Sequence, residues 1–438
     1  MTELAVSNPQ FDRWKYGLCW LLLLGPLFFL TYGQVNQLTA ARPDVGGSVY
    51  RWEHAIPFMP WTIVPYWSID LLYGISLFIC SSRQELRRHG YRLLAASLTA
   101  CCGFLLFPLK FTFIRPQTEG VFGWLFHQLE QFDLPYNQAP SLHIILAWLL
   151  WLRFRQHLRG LPIKIIAGAW FLLIAISVLT TWQHHVIDVI SGSIAAVLIS
   201  YAIPMSHQWH WRRPPTHSMI LAVKYMGGGA VFLFAGLLLP DSKMALWPAL
   251  SLFIVAAGYA GLGVGVFQKN ARGALSLSAR ILLLPYLMGA RLSMRSYARR
   301  LSKTSVICDG VYLGSFPQSE VKQSAVLDLT AELHKETDHL WSTYPMMDLV
   351  VPDVRSLSAA VDTLHQLRQG NDTILVCCAL GLSRSPTVVA AWLIKQGKAS
   401  CVQHAVEMIK RQRPQVVLTP GHIRVLEHFQ ESACQTRR

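Results

Sequence analysis

The chain has 438 residues, of which 52% are hydrophobic and 14% charged, too apolar a balance for an ordinary soluble protein and long enough for two or three domains. A formal charge of +15 would suit nucleic acid, but the lysines and arginines fall in short clusters between apolar runs, the pattern of membrane topology, so nucleic acid is set aside as a partner. The nine cysteines have no paired or metal-like spacing, so neither a disulfide framework nor a metal centre is indicated, and nothing calls for a cofactor.

Apolar runs near 16–33, 61–80, 91–109, 141–157, 162–180, 185–204, 219–239 and 245–267 each approach membrane-spanning length. The first lacks a cleavage site and is followed by further runs, so it is expected to stay as an anchor. The seventh is interrupted by Lys224 and by Gly227, Gly228 and Gly229, and Pro248 marks the eighth. Basic clusters precede the first span and follow the second, fourth, sixth and eighth (Arg13 and Lys15; Arg83, Arg87, Arg88 and Arg92; Arg153, Arg155, Arg159 and Lys164; Arg212 and Arg213; and several residues after Lys269). An even number of spans puts them all on one face, so the N-terminus and everything after residue 267 are expected in the cytoplasm. The expected location is a multi-pass protein of the plasma membrane, the inner one in a bacterium.

The first six spans carry ionisable residues that are costly at membrane depth, which makes a functional reading the default. Pro140-Ser-Leu-His143 opens the fourth span and His184-His-Val-Ile-Asp188 the sixth, both on the outer side by the charge count. If helical, His184 and Asp188 share a face, so Asp188 can hold one ring nitrogen while the other attacks phosphorus. His143 then serves as acid toward the departing oxygen. Lys110 and Arg115 supply the cations a phosphate needs. His185 is an alternative nucleophile. These motifs resemble the type-2 phosphatidic acid phosphatase superfamily, especially its six-span branch with sphingomyelin and inositol-phosphoceramide synthases. The resemblance covers roughly residues 15–204 and implies the triad His143, His184 and Asp188. It departs from the commoner pattern in a shortened basic motif, in Leu142 where Gly is usual, and in Thr180 to Gln183 where a Ser-Arg element is usual.

Residues 205–267 read as two further transmembrane helices. Residues 268–304 interleave leucines with Arg280, Arg291, Arg295 and Arg299, the composition of an amphipathic helix lying on anionic headgroups, with packing on the next domain as the alternative. Residues 305–438 change to soluble α/β character. Short strands are expected at 311–313 and 325–327, helices at 357–369, 400–411 and 420–430, and a mostly parallel sheet with helices on both faces. The fold class is thus multi-domain: an all-α polytopic helix bundle followed by a soluble α/β domain.

Within that domain, Ile374 to Leu393 reads as strand, tight loop and helix, with Gly381 in the loop and Pro386 in the first helical turn. The loop holds Cys378-x5-Arg384. Backbone N–H groups of Ala379, Leu380, Gly381, Leu382, Ser383 and Arg384 form an anion cradle at the helix N-terminus, which suits a thiolate and a phosphate alike. Cys378 is then the nucleophile, Arg384 a planar fork for two phosphoryl oxygens, and Ser385 an aid to thiolate departure. This is similar to the signature of cysteine-dependent dual-specificity phosphatases, with the departure that Cys377 stands where His is usual. Such an enzyme needs an acid for the leaving oxygen. Asp348 is favoured, since in similar phosphatases the acid follows a hydrophobic strand; Asp353 is the alternative, its other reading being a helix cap.

The whole resembles bacterial fusions of these two domains. The expected activity is a bifunctional membrane phosphatase acting on phospholipid-type phosphomonoesters, with a phosphohistidine site outside and a cysteinyl-phosphate site inside. The partners are lipid phosphates, membrane lipids and, as a second class, phosphoproteins. The alternative is an anchored tyrosine or dual-specificity phosphatase whose membrane half transfers lipid headgroups.

Overall fold

The computed structural model describes residues 11–299 and 301–435 and divides into two units, 1–205 and 206–438. The first unit is helical: α1 (Arg13–Ala40), α2 (Ile63–Ser76), α3 (Arg83–Leu106), α4 (Gly120–Phe132), α5 (Leu142–His157), α6 (Leu161–Thr180) and α7 (Val186–Ala202). Its core forms around α5, which packs on α2, α3, α6 and α7 and buries Ile145, Leu149 and Leu150 against Ile69, Leu93 and Ile174. Of the apolar runs in this unit, α1 and α6 are long and apolar enough to cross a membrane, and α7 is a shorter apolar helix. Helix α4 lies in the stretch between the third and fourth runs, where none was expected.

The second unit begins with α8 (Thr216–Leu238) and α9 (Leu246–Ala257), which pair along their lengths. Thr216–Leu238 and the segment Lys243–Phe267 are also apolar enough to cross a membrane. The stretch expected to be one amphipathic helix is instead two, α10 (Leu277–Leu282) and α11 (Leu284–Ala298). Pro285 sits in the first turn of α11, where it is tolerated but cannot continue a preceding helix. The stretch before them is anchored inward: Lys269 Nζ donates to Asp328 Oδ2 at 2.6 Å and to Thr330 O at 2.8 Å.

Then follow β1 (Thr304–Cys308), β2 (Val311–Ser315), β3 (Ala325–Thr330), β4 (Leu340–Met346), α12 (Val354–Gly370), β5 (Ile374–Cys378), α13 (Arg384–Lys395), α14 (Val402–Gln412) and α15 (Pro420–Gln435). The sheet order is β1-β2-β5-β3-β4. Only β1 runs antiparallel, and β5 lies between β2 and β3 as a parallel neighbour of each. Strands β1 and β4 were not anticipated. Both are edge strands, and β4 contains Pro345, which a sheet edge tolerates and a sheet centre does not.

The helices do not divide evenly between the faces. Residues of α12 to α15 pack with Leu313, Leu327 and Val376 in one large cluster. The opposite face carries Val326, Leu375 and Cys377 under Phe316, Trp341 and Met294 of α11. The fully buried β5 therefore delivers its last residue, Cys378, from the middle of the sheet.

Candidate functional site

In the first unit the chain turns sharply between α6 and α7. Val178 O accepts from both Gln183 N and His184 N, at 3.1 and 3.0 Å. His184 consequently lies in this turn and not on α7, so the expectation of a shared helical face does not hold. The turn nonetheless sets His184 Nδ1 3.5 Å from Asp188 Oδ2, with both side chains buried. That spacing is longer than a good hydrogen bond, and Asp188 Oδ2 is engaged by His185 N at 2.8 Å. The Gln138 amide, oriented with its nitrogen toward acceptors, also donates to Asp188 Oδ2 at 3.0 Å.

Helix α5 meets α7 at this point. Ser141 N donates to Asp188 O at 3.0 Å, and a Cβ on Gly192 would lie 2.7 Å from Ser141 O, so the approach requires glycine. His143, in the first turn of α5, stacks on Tyr66 with ring centroids 4.0 Å apart and lies 6.3 Å from the His184 ring. The three expected residues thus converge. Of the two cations, Arg115 is mostly buried, donates to Glu130 at 2.8 Å and covers the Phe126 ring. Lys110 is exposed and, among the described residues, makes no ion pair.

His185 has both ring nitrogens engaged. Nδ1 lies 3.0 Å from Glu53 Oε2 and Nε2 3.1 Å from Thr112 Oγ1, which leaves no free nitrogen for attack on phosphorus. Glu53 itself is buried and accepts from Val186 N and Tyr50 N as well. Its participation was not anticipated, because it stands in a short 3-10 helix, Arg51–Ala55, far from either motif in the chain. Asp133, also unanticipated, accepts from Tyr32 and Asn36 at 3.1 and 3.0 Å, and burial raises its carboxyl to about 6.

In the second unit the loop 379–383 joins β5 to α13. Gly381 has φ of +70°, and a Cβ there would lie 2.6 Å from the backbone of Gly314. Arg413, buried, donates through Nε to Gly381 O at 3.0 Å and through a terminal nitrogen to Leu380 O at 3.0 Å. Val417 N donates to Leu382 O at 2.8 Å. Carbonyls held outward in this way free the loop's N–H groups for an anion.

Arg384 is the first residue of α13 and is buried. Its fork donates to Glu332 Oε1 and Oε2 at 2.8 and 3.1 Å and to Met346 O at 3.0 Å, and it meets Asp348 Oδ1 at 2.9 Å. Burial raises the Asp348 carboxyl above its ordinary value even though Arg384 pulls it down. Asp353 makes no such contact: it caps α12, accepting from Ser356 N at 2.6 Å. Cys378 is buried at the end of β5, and Ser385 Oγ is buried with no hydrogen-bond partner among the described residues. Cys377 points into the opposite cluster, and burial holds its thiol well above the usual range.

Arg413 and Glu332 complete this site, and neither was expected. Glu332 is separated from Arg384 by 52 residues, with only the end of β3 as a local signal.

The dual specificity phosphatase catalytic-domain model matches residues 311–432, and the PAP2 superfamily model matches residues 64–202. The phosphatidylglycerophosphate phosphatase PTPMT2 of Arabidopsis thaliana is 34% identical over 98 residues, 20% of this chain and 42% of that protein. The chain therefore spans less than half the length of this relative. The uncharacterized protein MJ0662 of Methanocaldococcus jannaschii is 29% identical over 213 residues, 47% of this chain and 83% of that protein. A solved structure, Tk-PTP in the active form, is 24% identical, covers 30% of this chain and 97% of its own, and has a TM-score of 0.27. In one chain, a PAP2-superfamily domain is joined to a dual-specificity phosphatase catalytic domain.

Proposed function

We propose that this protein is a bifunctional membrane phosphatase of phospholipid-type phosphomonoesters. The observation that carries the reading is the Cys378 to Arg384 loop, with Arg384 held at its mouth and Asp348 beside it. Cys378 Sγ attacks phosphorus, the bond to the lipid oxygen breaks, and Asp348 gives that oxygen a proton. Water then cleaves the cysteinyl phosphate, returning the thiolate with help from Ser385. Arg384 and the N–H groups of 379–383 hold the equatorial oxygens throughout.

In the membrane half, His184 attacks phosphorus, Asp188 steadies the imidazole and His143 protonates the leaving oxygen. The phosphohistidine passes its group to water. Lys110 and Arg115 are the cations of this site. By the distribution of basic clusters the His184 site faces outward and the Cys378 site the cytoplasm. Two observations favour lipid over phosphopeptide: the chain has helices apolar enough to lie in a bilayer, and a relative is named as a phosphatidylglycerophosphate phosphatase.

A second reading rests on the resemblance of the membrane motifs to sphingomyelin and inositol-phosphoceramide synthases: the phosphohistidine would pass a headgroup to a lipid alcohol, and the Cys378 domain would act on phosphoproteins. One experiment tests both. Purified wild type, Cys378→Ser and His184→Ala are assayed on a panel of phospholipid phosphates and phosphopeptides. Each variant is expected to lose one lipid-phosphatase activity and keep the other; loss of both in either variant, or activity confined to phosphopeptides, overturns the reading.

A further inference from the structure

In the second unit, α8 and α9 do more than precede the phosphatase domain. Tyr225 and Phe232 of α8, Leu252 of α9, Tyr286 of α11, Leu349 beside the acid and Leu380 of the phosphate loop wall one cavity of about 650 Å³. At one end stand Glu332 and Asp348, the two carboxylates that hold Arg384. The remaining wall is largely carbon, contributed by α11 and by α8 and α9, of which the latter two lie in segments apolar enough to cross a membrane.

The acid turn is built into this wall. Tyr259, just past α9, donates its hydroxyl to Asp348 O at 3.1 Å. The Tyr225 ring stacks on Tyr259 at 5.3 Å and meets Tyr286 edge-on at 5.8 Å. Next to the acid, Leu349 takes φ of +58° and leaves 60% of its surface exposed. A left-handed leucine is strained, and an exposed one gains nothing from burial until an apolar group covers it.

We propose that this cavity receives an acyl chain of the lipid phosphomonoester cleaved at Cys378, so that α8, α9 and α11 form part of the substrate site. The proposal rests on the lipid reading of that site given above. Its volume falls within the range of ligand pockets, and its apolar wall opposes a phosphopeptide, whose backbone N–H and C=O groups would be buried there without partners. A lipid meets both ends: phosphate at the loop, hydrocarbon along the helices.

Gly289 of α11 allows a direct test. It lines the cavity, and a Cβ built on it meets nothing within 4 Å, so Gly289→Phe adds bulk to the cavity while replacing a poor helix former. Full-length protein in phospholipid vesicles is assayed on dipalmitoyl phosphatidylglycerophosphate and on para-nitrophenyl phosphate. The ratio of kcat/KM for lipid over aryl phosphate is expected to fall about tenfold or more in Gly289→Phe, the scale on which apolar pockets discriminate, and to stay near wild type in Gly289→Ala. An unchanged ratio overturns the proposal. A second measurement is independent of turnover: in Cys378→Ser protein, a lipid phosphate with a diazirine in its acyl chain is expected to label Phe232 or Leu252, assigned to the residue by fragmentation of the labelled peptide. Labelling confined to Val231 and Phe234, on the exposed side of α8, overturns it. If wild type cleaves lipid phosphate but the ratio is unmoved, only the cavity's role falls; if wild type cleaves no lipid phosphate, the lipid reading of the Cys378 site falls with it.

Discussion

Arg384 and Glu332 face each other through paired N–H to oxygen contacts of 2.8 and 3.1 Å, both side chains being buried. The fork proposed to hold phosphate is thus already oriented by protein contacts. Removing one member of a buried pair costs about 3–5 kcal/mol where nothing else compensates the remaining charge, and here Asp348, 2.9 Å from Arg384, offsets part of that loss. Glu332→Ala is accordingly expected to lower the thermal midpoint of the second unit markedly, read by scanning fluorimetry in detergent, with a milder effect for Glu332→Gln.

The acid makes a pH prediction. Burial keeps Asp348 protonated to higher pH than an ordinary aspartate. A proton donor works only while protonated, so the Cys378-dependent rate should fall as pH rises through that raised value. Asp348→Asn should lose this alkaline limb and about 10²- to 10⁴-fold in rate on a lipid alkoxide. An aryl phosphate, whose leaving group needs less help, should lose less. Asp353→Asn, at a helix cap, should keep the limb.

Arg413 touches no expected substrate atom but donates to two carbonyls of the phosphate loop. Arg413→Met leaves those carbonyls unpaired, each costing about 1–3 kcal/mol. The expected result is weaker vanadate binding to the Cys378 site, measured by inhibition titration, while the His184-dependent activity stays at its wild-type level.

Glu53 accepts from Tyr50 N, Val186 N and the His185 ring. Glu53→Ala strands one buried and two half-buried donors and should destabilise the first unit by about 1–3 kcal/mol, seen as a lower midpoint of the tryptophan fluorescence change on heating. His185→Asn should retain His184-dependent turnover more fully than His184→Asn does, because His185 has no free ring nitrogen.

What was legible in the chain was whatever is local. The loop from Cys378 to Arg384 could be read because its nucleophile, its glycine and its arginine lie within a few residues and between a β-prone run and a helix. His143, His184 and Asp188 were legible because charges are rare in apolar runs. The linker forms two helices and not one for a local reason, since Pro285 interrupts it. The uneven distribution of helices between the two sheet faces could not be decided from periodicity, which says that a face is apolar but not which neighbour covers it.

By itself the sequence determined the kinds of chemistry: two phosphoryl-transfer motifs, one among apolar helices and one on a strand-loop-helix. Tertiary structure alone decided who supports them. Glu332 lies 52 residues from Arg384, Arg413 32 from Gly381, and Glu53 132 from His185, separations over which no helical or strand period can speak. It also decided between Asp348 and Asp353 as neighbour of Arg384, since only the path of the chain after β4 sets which carboxylate arrives there. And it set Leu349 and Tyr225 on one cavity wall, because side chains become neighbours through packing, whatever their distance along the chain.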